Sequence, residues 1–409
     1  MRGGRMGELT FFNMWQADSK EKQEALIDEM RREAPALAAK DGFVSLTAWK
    51  AEGKDYRVLV EGRWASQSHF DAAVAGNAQA LASRARLETF AKPAPGLFAE
   101  CFRFTGRGGL ADIEKLAREA ASRWAEVGFE TKRIRIGQIR VQVASAGQGR
   151  PVILLHGYPQ SGETWRRVAP QLAKCRQVII PDLPGMGLSD IKESGYDLLS
   201  VAEDIHSVAA ALGLKEVELV GHDWGGAVAA VYALHYRQEV RRLAFIESAV
   251  GGAGFENAWV FNAPNPALTF IPFLLAGNLS EELVAGREEI WLRHLWQTFT
   301  YNKEAVPFTE WRPYLQAMQR RGIFRASGEY YRAVYGAGEK VRKLITSGKL
   351  AIPVLSISGE ASFGAAQLAF VEAFSENIAR HVVIPGSGHF VPEEQPQALL
   401  SELENFLRA

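Results

Sequence analysis

One short stretch restricts this chain more than any other. Residues 217–220, Val-Glu-Leu-Val, read as a strand and run directly into Gly221-His222-Asp223-Trp224-Gly225-Gly226, after which a helix is expected to begin near Ala227. A chain that turns from strand to helix within so few residues brings the two backbones close together. Small residues are then needed on both sides, and the apical side chain is lifted out of the sheet. An aspartate serving only as a helix cap would explain the acid, but the turn itself still requires a sheet covered by helices.

The rest of the C-terminal two thirds supplies such a sheet. Strands are expected at 132–146, 151–155, 177–181, 218–220, 242–247, 352–358 and 380–384, with helical spacing in most of the gaps, as in a mostly parallel sheet. The interval between Glu247 and Ile352 is long and rich in Trp, Phe and Tyr. With helical spacing at 281–298 and 312–322, it reads as a helical insertion, a cap at about 250–345 that could cover a site.

The N-terminal part has a different order: strand 9–16, helix 20–39, strands 43–50 and 56–64 about Glu52-Gly53-Lys54-Asp55, helix 66–90, strand 97–104. That sequence of elements suggests a ferredoxin-like α+β domain over 1–108, followed by a linker helix at 109–127 and the second domain at 128–409. Thr105-Gly106-Arg107-Gly108-Gly109 marks the break. A length of 409 residues suits more than one domain, at roughly 100–200 residues each.

Composition removes several partners. Lys+Arg and Asp+Glu both number 47, so no basic excess recruits nucleic acid or an anionic membrane. The two cysteines, Cys101 and Cys175, are too few for a disulfide scaffold and have no metal-ligand spacing. Both are expected to be buried thiols. Met1-Arg2-Gly3-Gly4-Arg5-Met6-Gly7 runs into Glu8 without an apolar signal core, so a cytoplasmic location is expected.

Three further motifs follow apolar strands: Leu154-Leu155-His156-Gly157-Tyr158-Pro159, Asp182-Leu183-Pro184-Gly185-Met186-Gly187-Leu188-Ser189, and Pro385-Gly386-Ser387-Gly388-His389-Phe390. Taken in order with Gly221–Gly226, they resemble the α/β-hydrolase family, whose sharp strand-to-helix turn carries the nucleophile. The resemblance implies an α/β-hydrolase fold with a helical cap. It makes Asp223 the nucleophile, the backbone N–H groups of Tyr158 and Trp224 the oxyanion hole, and His389 the base. Glu247 and Glu360 both end strands where relatives place the triad acid, and Glu247 is preferred. His381, the only other histidine after the turn and the cap, begins a strand and is the weaker candidate.

An aspartate nucleophile attacking an ester would give an unstable anhydride, whereas on carbon it can displace an epoxide oxygen or a halide. The chain resembles the epoxide hydrolase branch, in which a cap tyrosine protonates the leaving oxygen. Gly328-Glu329-Tyr330-Tyr331-Arg332-Ala333 is similar to that segment, making Tyr331 the proton donor, with Tyr330 or Tyr335 nearby. The family's second donor, a Tyr or His earlier in the cap, has no counterpart in Ala267-Leu268-Thr269-Phe270-Ile271-Pro272. A hydrolytic dehalogenase is the alternative. It is disfavoured by Tyr158 where haloalkane dehalogenases carry Asn, and by the absence of a His-Trp pair around the cap histidine, His294.

The N-terminal segment resembles antibiotic-biosynthesis monooxygenases, dimeric α+β barrels, through Phe12-Asn13-Met14-Trp15, Asp41-Gly42-Phe43-Val44 and Glu61-Gly62-Arg63-Trp64-Ala65-Ser66. Val60 and Phe70 stand where the cofactorless members use Asn and Tyr, and His69 aligns poorly with the heme-binding helix histidine. A homodimerisation module is therefore preferred to a bifunctional monooxygenase-hydrolase. A non-catalytic binding protein on a hydrolase fold is the remaining alternative, opposed by the presence of Asp223, Glu247 and His389 together. No cofactor and no metal are expected, and the substrate is a small molecule, with a polyketide-like cyclic epoxide implied by the N-terminal resemblance.

Overall fold

The computed structural model describes residues 9–41, 43–50, 56–65, 91–92, 99–105, 108–255 and 270–408. These fall into two compact units, Met1–Asp112 and Ile113–Ala409, with the division inside the helix Gly108–Ala125.

The first unit is built on one antiparallel sheet. Its strands are β1 (Leu9–Ala17), β2 (Phe43–Lys50), β3 (Arg57–Trp64), β4 (Ala91–Lys92) and β5 (Ala99–Thr105), in the order β4-β1-β3-β2-β5. The helix Lys20–Ala38 connects β1 to β2. It starts where Ser19 accepts the Lys22 N–H, and it buries Leu26, Ile27, Met30 and Ala34 at helical spacing on Val58, Val60 and Ala48. The turn expected at 52–55 and the helix expected at 66–90 lie outside the described residues.

The second unit carries an eight-stranded sheet. In chain order it contains β6 (Glu130–Ile136), β7 (Ile139–Ala146), β8 (Pro151–Leu155), β9 (Gln177–Pro181), β10 (Val217–His222), β11 (Val240–Ile246), β12 (Val354–Gly359) and β13 (Ile378–Ile384). Their spatial order is β13-β12-β11-β10-β8-β9-β7-β6, parallel except at the β6, β7 and β9 edge. Side-chain alternation splits the strands between two cores. Val152 and Leu154 of β8 and Val220 of β10 pack on one face, Ile153, Leu155 and Leu219 on the other.

Several expectations need correction. The strand expected at 132–146 is a hairpin, because Gly137 turns the chain at positive φ and sets Ile136 opposite Ile139. The helix after Asp223 begins at Trp224, three residues earlier than expected. Cys175 is exposed, since it sits in the turn between the helix Ala169–Leu172 and β9 rather than on an inward-facing strand position. The side chain of Cys101 lies outside the described residues. The expected linker helix, Gly108–Ala125, docks on the second unit through Trp124, which joins Phe129, Trp165 and Leu172 in one core.

The insertion between β11 and β12 is helical where it is described: Phe270–Leu275, Asn278–Val284, Glu288–Phe299, Arg312–Met318 and Ile323–Thr346. Ala285 and Gly286 divide the single helix expected at 281–298. Among the described residues no helix is long and apolar enough to cross a membrane.

Candidate active site

β10 ends at His222, and the next helix begins at Trp224. Asp223 has φ 52° and ψ −124°, and the only other non-glycine residue described at positive φ is Glu247, at 44°. L-residues enter that region at a cost, and such strain persists where the surroundings over-determine it. Packing explains the glycines beside Asp223. A Cβ on Gly225 would lie 2.3 Å from the Leu155 carbonyl oxygen, and one on Gly157 would lie 2.2 Å from Asp223 Oδ1.

The nucleophile candidate is therefore pressed against the β8 loop. The Tyr158 N–H donates to Asp223 Oδ1 at 2.7 Å, and the Trp224 N–H supports the same carboxylate. Oδ2 faces His389 Nε2 at 3.5 Å, and His389 Nδ1 meets Glu247 Oε2 at 3.0 Å. Glu247 is fully buried and accepts from Gly359 N at 2.7 Å, Ser362 Oγ at 2.7 Å and Phe363 N at 3.2 Å. Buried carboxylate oxygens need such donors to offset the loss of water.

Glu360 does not reach this chain of contacts. It is exposed and accepts the Gly386 N–H at 3.1 Å, so the structure brings Glu247 and not Glu360 to His389. His381 lies in β13, with Nδ1 3.0 Å from Ser356 Oγ.

The charges in the site reinforce one another. Burial favours a neutral His389, but hydrogen bonds and opposite charge from Asp223 and Glu247 outweigh it and push the imidazole up to about 10. Burial likewise opposes ionisation of Asp223, yet the hydrogen bond and charge of His389 and the Trp224 N–H hold its carboxyl below the usual range. Each of the two carboxylates thus favours the charged form of His389.

Two buried histidines that sequence reasoning left without a role hold the loops in place. His222 is pushed down to about 3 by burial and then by the charge of His389, so it is neutral, and its Nε2–H donates to the His389 carbonyl at 2.8 Å. His156 is also depressed by burial; its Nδ1–H donates to Gly157 O and its Nε2 accepts the Leu183 N–H, each at 2.9 Å. Their signal was position alone: each directly precedes a residue that the site uses.

The turn after His389, Pro392-Glu393-Glu394, carries two buried acids. Glu394 accepts Gly388 N and Phe390 N from the histidine loop, and also Tyr301 N and Asn302 N from the insertion. Glu393 accepts Tyr314 Oη at 2.5 Å and Trp311 Nε1 at 3.1 Å. This turn fastens the insertion to the loop that carries His389.

A cavity of about 320 Å³ opens above Asp223 and His389, lined by Tyr158, Trp224, Tyr331 and apolar side chains from the insertion. Tyr331 is buried, with its ring edge-on to Tyr158 at 5.7 Å and to Trp224 at 4.9 Å between centroids. Tyr330 is a correction: it faces away, and its hydroxyl donates to the Pro184 carbonyl at 2.7 Å, because successive residues on a helix point about 100° apart. The Tyr335 side chain and residues 267–269 lie outside the described residues. His294 is exposed. Among the described residues no group of three or more His, Cys, Asp or Glu side chains could hold a metal ion.

A parallel sheet with a sharp strand-to-helix turn, an acid at its apex and a histidine after the last strand defines a class of hydrolytic enzymes. A family model described as the alpha/beta hydrolase fold matches residues 150–396. Soluble epoxide hydrolase from Corynebacterium sp. (strain C12) is 33% identical over 278 residues, which cover 66% of this chain and 94% of that protein. Cfl2 from Burkholderia cenocepacia superposes with TM-score 0.65 at 33% identity, covering 68% of this chain and 96% of that one. The epoxide hydrolase CorEH superposes with TM-score 0.63 at 28% identity, covering 68% and 99%. The chain belongs to the alpha/beta hydrolase family, within its epoxide hydrolase type, and is an enzyme that carries out hydrolysis.

Proposed function

We propose that this hydrolase opens epoxides through an ester formed on Asp223. The reading is carried by one observation: the Asp223 carboxylate lies between two backbone N–H donors and the His389–Glu247 pair, and faces Tyr331 across an apolar cavity. Oδ2 attacks a ring carbon while Tyr331 protonates the departing oxygen. Oδ1 becomes the ester carbonyl oxygen, already beside the Tyr158 and Trp224 N–H groups. His389, oriented by Glu247, then takes a proton from the water that adds to the ester carbonyl.

The test separates the half-reactions. His389→Gln should still form the ester and hydrolyse it slowly, so that the intact mass rises by one substrate. In heavy-oxygen water, the first wild-type turnover should place a light Asp223 oxygen in the diol. A fully solvent-labelled first product would mean direct attack by water and would remove Asp223 from the role of nucleophile.

We read residues 1–108 as a ferredoxin-like homodimerisation domain, residues 109–127 as the helix leading on, and residues 128–409 as the hydrolase with its cap at about 250–345. The central antiparallel order β1-β3-β2, with a helix between β1 and β2, supports this reading of the first domain, whose sheet β5 extends beyond β2. Light scattering should find the full chain dimeric and a chain of residues 110–409 monomeric; a dimeric 110–409 would move the interface to the hydrolase.

A further inference from the structure

The epoxide reading uses Tyr158 only through its backbone N–H, but its side chain is also in the site. The ring is buried in the cavity wall and meets Tyr331 edge-on at 5.7 Å. Its hydroxyl oxygen accepts the indole Nε1–H of Trp291 at 2.6 Å. Trp291 comes from the insertion helix Glu288–Phe299, and an indole nitrogen can only donate. The phenol oxygen therefore acts as acceptor toward Trp291 and keeps its own O–H to give elsewhere. Since the Tyr158 N–H holds Asp223 Oδ1 at 2.7 Å, one residue both fixes the nucleophile and lines the cavity above it.

We propose that the Tyr158 phenol is the second proton donor of ring opening, acting with Tyr331 on the departing oxygen, and that Trp291 is the positioning residue that aims it. The inference rests on the epoxide reading and supplies, from the loop after β8, the donor missing from residues 267–272. As Asp223 Oδ2 bonds to the ring carbon, the C–O bond breaks and the oxygen leaves with the electron pair. That oxygen takes a proton from one phenol while hydrogen-bonded to the other. Water then adds to the ester carbonyl and gives its proton to His389, and that proton returns through solvent to the phenolate. One epoxide and one water become one diol.

The environment keeps both groups in the donating form. Burial pushes the Tyr158 phenol well up, with the Trp291 N–H pulling the other way, and burial followed by the Asp223 charge pushes Tyr331 up. Both are neutral phenols at physiological pH, and the Trp291 N–H stabilises the Tyr158 anion once the proton has left.

The experiment measures ester formation by intact mass in the full chain carrying His389→Gln, with styrene oxide and with benzyl bromide, whose leaving bromide needs no proton. Adding Tyr158→Phe should slow the styrene oxide adduct by about 10²-fold, the lower end of general acid catalysis, and leave the bromide adduct within a few-fold. Trp291→Phe should give a smaller loss in the same direction. Unchanged styrene oxide alkylation in the Tyr158→Phe protein overturns the inference. Equal slowing of both reagents also overturns it, since Tyr158 would then only shape the cavity. If the His389→Gln protein forms no adduct with either reagent while the wild type turns over styrene oxide, it is the ester reading that fails.

Discussion

The two walls of the cavity are built from different materials. On the sheet side, the contributing groups are fixed by backbone: Asp223 and Glu247 at positive φ, the N–H groups of Tyr158 and Trp224, and the histidine loop tied down by His222 and Glu394. On the insertion side, Tyr331 and Trp291 arrive as side chains of separate helices and are held by ring contacts and by hydrogen bonds, that of Trp291 with Tyr158 among them. The first wall cannot adapt without breaking the fold around it, which suits groups that must hold fixed geometry. The second can change its side chains at the cost of local repacking, which suits recognition of a particular leaving group and substrate shape.

That contrast predicts the sharpest losses on the sheet side. Asp223→Asn should abolish adduct formation and reduce turnover by about 10⁴-fold, because an amide is no nucleophile although it can still accept the Tyr158 N–H. Residual activity near the wild-type level in a folded variant would place the chemistry elsewhere.

Next come the two acids. Glu247→Gln should lower turnover by about 10²-fold or more through loss of imidazolium stabilisation, whereas Glu360→Gln should stay within about a factor of two. The same change removes one of the two carboxylates that hold His389 up at about 10, so the histidine should titrate lower, as followed by imidazole NMR. The reverse ranking would transfer the role to Glu360.

A stability measurement rather than an activity one tests how the insertion is fastened. Burial pushes the Glu393 carboxyl up to about 7, against hydrogen bonds from Tyr314 and Trp311. A carboxyl that binds its proton more tightly when folded than when unfolded contributes stability that is fully present below about 4.5 and is lost as pH rises through about 7. Unfolding by urea should therefore show stability falling across that window by on the order of 3 kcal/mol, and Glu393→Gln should flatten the fall. A variant with the same pH slope as the wild type would assign the dependence to another group.

Much of the sheet-side wall was legible in the sequence because its constraints are local. A glycine on either side of Asp223, His-Gly-Tyr-Pro after a strand, and a histidine on a glycine loop each announce a backbone shape within a few residues. Helix limits in the insertion were less legible: a single helical pattern at 281–298 conceals the break at Ala285-Gly286, and Gly322, expected inside a helix, instead caps the long helix Ile323–Thr346 at positive φ. The hairpin at Gly137 was missed because an alternating pattern continues on both sides of a tight turn without interruption.

By itself, the sequence determined that a mostly parallel sheet would present Asp223 at a sharp strand-to-helix turn, because glycine spacing and strand periodicity act over a few residues, while the choice of His389 came from the resemblance to α/β-hydrolases. Only the tertiary structure brought Glu247 rather than Glu360 beside His389, turned Tyr330 onto Pro184 while leaving Tyr331 at the cavity, and set Trp291 against the Tyr158 hydroxyl. Those outcomes depend on which side chains of distant segments meet. Distance in space between residues far apart in the chain is fixed by the packing of whole elements, and no local pattern encodes it.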